Sequence, residues 1–288
     1  MANDGPTCYR HPDRQAGVTC QRCGRPICPS CMHQASVGFH CPECVRAGSQ
    51  RVVSAQSLMN SKPMVTLTLI GINVTVWLLG LAMGGSASRL AGDLIEDFAL
   101  VGGGSVDGRT LIGVDEGEWY RLVTGGFLHA SLIHIAFNMY LLYVLGRQLE
   151  RALGTVDFGI LYLAGLLGGS FGALLVNPNG FTVGASGAVF GLMGGWIMFA
   201  RSRGIDFMNS GIAGLVLINI LLTFSISGIS VGGHLGGLAG GLIVGWLLTV
   251  GRTRLPNQQA VRGASVGLCL VFAVGGIWAA STWMTPIF

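Results

Sequence analysis

The chain has 288 residues, 51% of them hydrophobic and only 10% charged, with 47 glycines and a formal net charge of +4. Soluble domains carry about 25% charged residues, so this composition excludes a soluble globular protein and predicts an embedded, all-α polytopic membrane protein. The small positive charge excludes a nucleic-acid partner, because the arginines sit in short loops where they set topology instead. Glycine at this frequency without a Gly-X-Y period fits helices that pack backbone to backbone.

Residues 1–50 are polar and cysteine-rich and read as carrying no cleavable signal peptide. Seven of the eight cysteines fall between Cys8 and Cys44, and with one histidine they form four pairs: Cys8/His11, Cys20/Cys23, Cys28/Cys31 and Cys41/Cys44. Two residues separate the members of each pair, so both can turn onto one tetrahedral ion. Eight ligands match two zinc ions, with pairs one and three on one ion and pairs two and four on the other. Disulfides would leave one of the seven cysteines unpaired and would need oxidising surroundings. His40 could replace Cys41 as a ligand, and His33 reads as a surface residue. The pattern resembles the B-box and related cross-brace zinc fingers. No pair is short of a ligand, so the ions are expected to be structural, and the module (residues 1–48) to be unfolded without metal. Residues 49–62 read as a polar, basic linker.

Seven apolar segments follow, at residues 63–83, 127–146, 156–176, 185–200, 210–228, 231–250 and 265–285. The connection 84–126 is the longest and carries Asp93, Glu96, Asp97, Asp107, Asp115, Glu116 and Glu118 against Arg89, Arg109 and Arg121. Arg147 and Arg151 follow the second segment, Arg201 and Arg203 the fourth, and Arg252, Arg254 and Arg262 the sixth. The loops at 177–184 and 228–231 hold no charge. The positive-inside rule therefore predicts a cytoplasmic N-terminus in a cell membrane, with the acidic loop, the start of the fourth segment and the C-terminus facing out. A reducing cytoplasm favours thiolate–zinc over disulfides.

Ionisable groups inside the segments are few, and such groups are functional by default. The second segment places His134 and Asn138 four apart on one helical face. The sixth opens Gly232-Gly233-His234, and the fourth opens Gly184-Ala185-Ser186-Gly187. A helix from Ala185 to Ala200 would be about 24 Å long against a hydrocarbon core of about 30 Å, which sinks Ser186 beneath the outer surface. Two membrane aspartates, an H-E-x-x-H motif and an acid for a Ser-His-Asp triad are all missing. A serine with one histidine as base remains. Gly233, Gly237 and Gly241 make one smooth face and Gly187, Gly191 and Gly195 another, and their approach would bring Ser186 within hydrogen-bond reach of His234. His134, Asn138 and the Ser186 N–H are oxyanion-hole candidates. Each residue keeps a structural alternative: a helix cap for Ser186, a carbonyl partner for His234, and interhelical bonding for His134 and Asn138.

Together, Gly184-Ala185-Ser186-Gly187, His134-xxx-Asn138 and His234-Leu-Gly-Gly resemble the motifs of rhomboid intramembrane serine proteases. The resemblance covers residues 63 to about 250 and implies a catalytic bundle of six spans over 63–250. Residues 251–288 would add a cytoplasmic loop and a seventh helix. It further implies Ser186 as nucleophile, His234 as base, His134 and Asn138 as oxyanion donors, and no cofactor for catalysis. The implied partners are the lipid bilayer and transmembrane segments of membrane-protein substrates, cleaved within or beside the membrane. Glu150 resembles a structural acid. In Glu118-Trp119-Tyr120-Arg121 the arginine matches the family's loop motif, whereas Tyr120 stands at its tryptophan position. The alternative is an inactive rhomboid-like chaperone or scaffold that binds transmembrane helices. In either case the zinc module is expected to recognise a cytoplasmic partner or a substrate tail, with stabilisation of the N-terminus alone as the alternative.

Overall fold

The computed structural model describes residues 5–35, 37–48, 62–106, 109–251, 255 and 257–282. Asp107, Arg252, Arg254, linker residues 49–61 and residues 283–288 at the end of the seventh segment lie outside the described residues. The chain divides into two compact units, residues 1–60 and 61–288.

In the first unit two short hairpins, β1 (Val18–Thr19) with β2 (Pro26–Ile27) and β3 (His33–Gln34) with β4 (Phe39–His40), precede helix α1 (Pro42–Gly48). Its buried centre is Ile27 surrounded by Cys8, Cys20, Cys28, Cys31 and Cys41. One buried isoleucine gives little apolar area, and units this small ordinarily need a staple.

The second unit is helical. Its elements are α2 (Met64–Ala82), α3 (Gly92–Phe98), α4 (Arg121–Thr124), α5 (Leu132–Leu153), α6 (Thr155–Val176), α7 (Ser186–Ser202), α8 (Ile212–Ser225), α9 (Val231–Thr249) and α10 (Gln258–Thr282). A hairpin of β5 (Gly104–Val106) and β6 (Arg109–Leu111) stands in the long connection. Among the described residues four helices, α2, α6, α9 and α10, are long and apolar enough to cross a bilayer, and residues 121–127 with α5 make a fifth if that bent pair is one span. The protein is therefore a multi-pass membrane protein with a helical bundle, and the described part of each of the seven apolar segments falls on a helix.

Two segments differ from expectation at their ends, for reasons visible in the packing. The apolar run of the second segment predicts a helix from 127. The helix starts at Leu132 instead, because Ser131 caps it by accepting the His134 N–H at 3.3 Å, and residues 121–127 turn away from it by 99°. It also runs past 146 through charged residues to Leu153, because Glu150 turns inward. Its carboxylate accepts Val65 N–H at 2.9 Å, Thr66 N–H at 2.8 Å and the Thr66 hydroxyl at 2.7 Å, which caps the free N–H groups at the start of α2. The seventh helix begins at Gln258, seven positions before 265. Its polar first turns are anchored by the buried Asp157 of α6, which accepts from Arg262 Nε at 2.6 Å and Gln258 Nε2 at 3.3 Å.

Helices α6, α7 and α9 meet through glycine. A Cβ on Gly237 would lie 2.1 Å from the carbonyl oxygen of Gly187, and one on Gly241 would lie 1.9 Å from that of Gly191. Gly165 and Gly169 of α6 face Gly191 and Gly187 in the same way. The sequence pattern pointed to the faces of α7 and α9. It did not show that α6 supplies a third.

Candidate functional site

Ser186 is the first residue of α7 and follows Gly184, whose φ of +123° is a conformation that glycine adopts without strain. A Cβ at Gly184 would stand 2.7 Å from His134 Nε2 and 3.7 Å from Ser186 Oγ, so a side chain there would fill the space between them. The approach to α7 is held on several sides. Thr182 and Leu100 exchange backbone hydrogen bonds at 2.8 and 3.0 Å, and Gly184 N–H donates to Gly125 at 2.9 Å. Ala185 N–H donates to Nε2 of the buried His129 at 3.4 Å. The long connection is tied down by buried Arg121, which donates to the Ala99 and Glu96 carbonyls at 2.8 and 2.7 Å and pairs with Glu118. A cavity of about 30 Å³ opens beside Ser186, bordered by Leu100, Gly126, Thr182, Gly187 and Gly233. That volume holds about two waters.

His234 lies in the first turn of α9, which Ser230 caps. Its ring is buried and stacks on Phe190 of α7, with centroids 4.2 Å apart and planes at 21°. Phe190 is one turn beyond Ser186, so the imidazole borders the same seam of α7. Among the described residues no hydrogen bond joins Ser186 Oγ to His234, and such contacts are often loose before substrate binds. The other ring nitrogen, Nδ1, stands 2.7 Å from Thr223 Oγ1 of α8. Thr223 was not singled out in the sequence. Its signal is a polar pair four apart in an apolar segment, Asn219 and Thr223, both buried.

His134 receives the Ala130 N–H at Nδ1, at 3.3 Å. The proton then belongs on Nε2, the nitrogen beside Gly184. Asn138 is buried and donates one amide hydrogen to the His134 carbonyl at 3.0 Å. His134 thus stands near Ser186, while the described contacts of Asn138 hold it to its own helix and leave it a second N–H. Two further neighbours that the sequence does not mark, Phe190 and His129, are ordinary aromatic and histidine positions in one dimension. Only the folded arrangement shows what they touch.

In the first unit Cys8, His11, Cys28 and Cys31 form one cluster and Cys20, Cys23, Cys41 and Cys44 another, with the ligand atoms of each within 4.8 Å of one another. The first pair meets the third and the second meets the fourth; His40 stands in β4, outside both groups. None of these sulfurs is in a disulfide. A tetrahedral ion about 2.3 Å from sulfur and 2.0 Å from nitrogen sets S···S edges of about 3.8 Å and S···N edges of about 3.5 Å. The observed separations fit: Cys23 Sγ to Cys41 Sγ is 3.8 Å, and His11 Nδ1 is 3.9, 3.5 and 3.4 Å from the sulfurs of Cys8, Cys28 and Cys31. Burial works against the thiolates of Cys8 and Cys20. Backbone N–H groups of Cys28, Arg10 and His11 around Cys8, and of Cys41, Arg22 and Cys23 around Cys20, more than offset it and hold both at about 6. Cys31 is pushed up to about 11 by burial and its thiol neighbours, and Cys44 to about 12 by Cys41 and burial. A dication would relieve that repulsion.

A family profile described as Rhomboid domain matches residues 116–251. The chain is similar to the rhomboid protease GluP of Bacillus subtilis (strain 168), 31% identical over 234 residues, which cover 80% of this chain and 43% of that protein. It is similar to YdcA of the same organism, provisionally named a rhomboid protease, 36% identical over 140 residues covering 47% of this chain and 70% of the relative. It is also similar to RHOMBOID-like protein 4 of Arabidopsis thaliana, 32% identical over 151 residues, or 51% of this chain and 38% of that one. The chain thus spans less than half the length of the first and third of these relatives.

Proposed function

The chain belongs to the rhomboid family, and from that premise we propose that it is an intramembrane serine protease with Ser186 as nucleophile and His234 as base. One observation carries this reading: the His234 ring lies on Phe190, one turn from Ser186, across a seam made of glycine backbone. In the proposed reaction Ser186 Oγ attacks a peptide carbonyl carbon, and His234 Nε2 takes the hydroxyl proton. The carbonyl oxygen becomes an oxyanion that accepts from the Ser186 N–H and His134 Nε2–H, with the second N–H of Asn138 as a further donor. Collapse breaks the C–N bond, and His234 returns its proton to the leaving amine. Water from the cavity beside Ser186 then cleaves the acyl ester by the same steps. A helical amide is shielded by its own hydrogen bonds, so substrates are membrane-protein segments that unwind near the cleaved bond.

The orientation follows from charge. The C-terminal ends of α5, α7 and α9 surround one cavity of about 210 Å³ between Leu153, Phe199, Arg203 and Thr249. Arg151, Arg201 and Arg203 therefore gather at one end of the bundle, and that end is cytoplasmic in this reading. The N-terminal unit is cytoplasmic by the positive-inside rule and holds two structural zinc ions, one on Cys8, His11, Cys28 and Cys31 and one on Cys20, Cys23, Cys41 and Cys44. Bound zinc would supply the folding energy that so small an apolar centre lacks. The module's role is recognition of a cytoplasmic partner or substrate tail.

The test is cleavage of a co-expressed model membrane substrate. The wild-type chain should release product, and Ser186→Ala should release none while still inserting. Cleavage by Ser186→Ala at the wild-type rate would end the mechanism. Loss of all cleavage in the wild type, with substrate still captured, would favour the inactive helix-binding alternative.

A further inference from the structure

The buried hydroxyl of Thr223 has no part in the reaction just described, yet it makes a close polar contact with the proposed base. Thr223 Oγ1 is 2.7 Å from His234 Nδ1 and 2.8 Å from the Asn219 carbonyl. Both residues on α8 are buried, Thr223 at 2% and Asn219 at 5% exposure, so water does not compete for these bonds. The Asn219 side chain is held in turn by its Nδ2–H donating to the Leu215 carbonyl at 2.7 Å. Three polar contacts thus run along one face of an otherwise apolar helix and end at the imidazole.

We infer that Thr223 is a positioning residue that fixes the orientation and tautomer of His234, in the place where soluble triads use a carboxylate. This rests on the protease reading above. A hydroxyl has one hydrogen. When it points to the Asn219 carbonyl, its oxygen can only accept at His234, so Nδ1 carries the proton and Nε2 presents a lone pair to α7. The neutral base is then in the tautomer that can take a proton from Ser186. After that transfer both ring nitrogens carry hydrogen, and Nδ1–H keeps the same acceptor without any rearrangement. Orientation by a third group is the general requirement of a serine–histidine pair. Here the ring is fixed on two sides, by Phe190 against its face and Thr223 at its edge. A further consequence is that α8, a helix of 14 residues, carries the element that sets the base. A displacement of α8 that breaks the 2.7 Å contact would disengage His234 without moving Ser186.

The test compares the full chain with Thr223→Val, which keeps the shape and removes the hydroxyl, and with Thr223→Ser, which restores it. Turnover of a model membrane substrate should fall about ten- to a hundredfold in kcat for Thr223→Val, with KM within about twofold, as expected when a buried N–H loses its acceptor. Thr223→Ser should recover most of it. In parallel, 15N-histidine spectra in detergent, assigned by subtraction of a His234→Ala variant, should show Nδ1–H at His234 in the wild type and a mixed tautomer in Thr223→Val. Thr223→Ala serves in the spectra if the valine variant does not fold. Unchanged kcat, or an unchanged His234 signal, in Thr223→Val would overturn the assignment. If the wild type cleaves nothing, the protease reading fails, and the spectra still decide whether Thr223 sets the ring.

Discussion

The ring of His234 lies face to face with that of Phe190, 4.2 Å between centroids, so helices α7 and α9 exchange an aromatic contact one turn below the serine that starts α7. Replacing Phe190 by alanine removes the surface against which the proposed base rests. The expected result is a loss of about tenfold or more in kcat, with a smaller change when Phe190 becomes tyrosine, since a second aromatic ring preserves the stack. Steady-state turnover of the two variants, normalised to folded protein, checks this.

Close backbone approach should make particular glycines intolerant. Gly241→Ala would drive a methyl to within 1.9 Å of the Gly191 carbonyl oxygen, whereas Gly214 and Gly267 have nothing within 4 Å of a Cβ. The first change should destabilise by about 1–3 kcal/mol through overpacking, and alanine at Gly214 or Gly267 should be near neutral. Thermal unfolding of the purified variants in one detergent separates the two classes.

Glu150 joins α5 to the start of α2 through three hydrogen bonds. Glu150→Ala leaves two backbone N–H groups and a hydroxyl without that acceptor, at a cost of about 1–3 kcal/mol or more. Lowered thermal stability with KM unchanged would mark Glu150 as structural. A change in KM at full stability would contradict that role.

If the N-terminal unit holds zinc as proposed, it should lose it on acidification. Burial disfavours the Cys8 and Cys20 thiolates, and neighbouring backbone N–H groups outweigh it, so both sit at about 6, below an ordinary thiol. A lowered folded value means that the stabilisation is complete above the unfolded thiol range and disappears as pH falls through about 6, and bound zinc pushes the midpoint lower still. Zinc release followed with a chromogenic chelator should therefore rise between about pH 6 and pH 4. Cys44→Ser should release the ion of its own cluster at higher pH and leave the other in place.

How far the sequence could be read depended on whether an interaction repeats along the chain. Helices α2 and α6 to α9 follow from apolar runs, and the facing glycines of α7 and α9 follow from spacing of four. The Cys-x-x-Cys pairs show their grouping because a metal ligand set has a fixed local geometry. Contacts between distant segments have no such periodic trace. Glu150 with Thr66, Asp157 with Arg262, and Thr223 with His234 join elements 11 to 105 positions apart. In each case the partner stands on another element, and the pair leaves no pattern along the sequence. The start of α5 differs from expectation for a related reason: residues 127–131 extend the apolar run, and only the Ser131 cap shows where the helix begins.

Chemical labelling of the nucleophile tests the central claim most directly. The full-length chain in detergent or vesicles is treated with a serine-reactive fluorophosphonate and digested, and the adduct is located by mass spectrometry. The account predicts one stoichiometric adduct on Ser186, lost in His234→Ala although Ser186 is still present. An adduct on another residue, or equal labelling of Ser186 with and without His234, would contradict it.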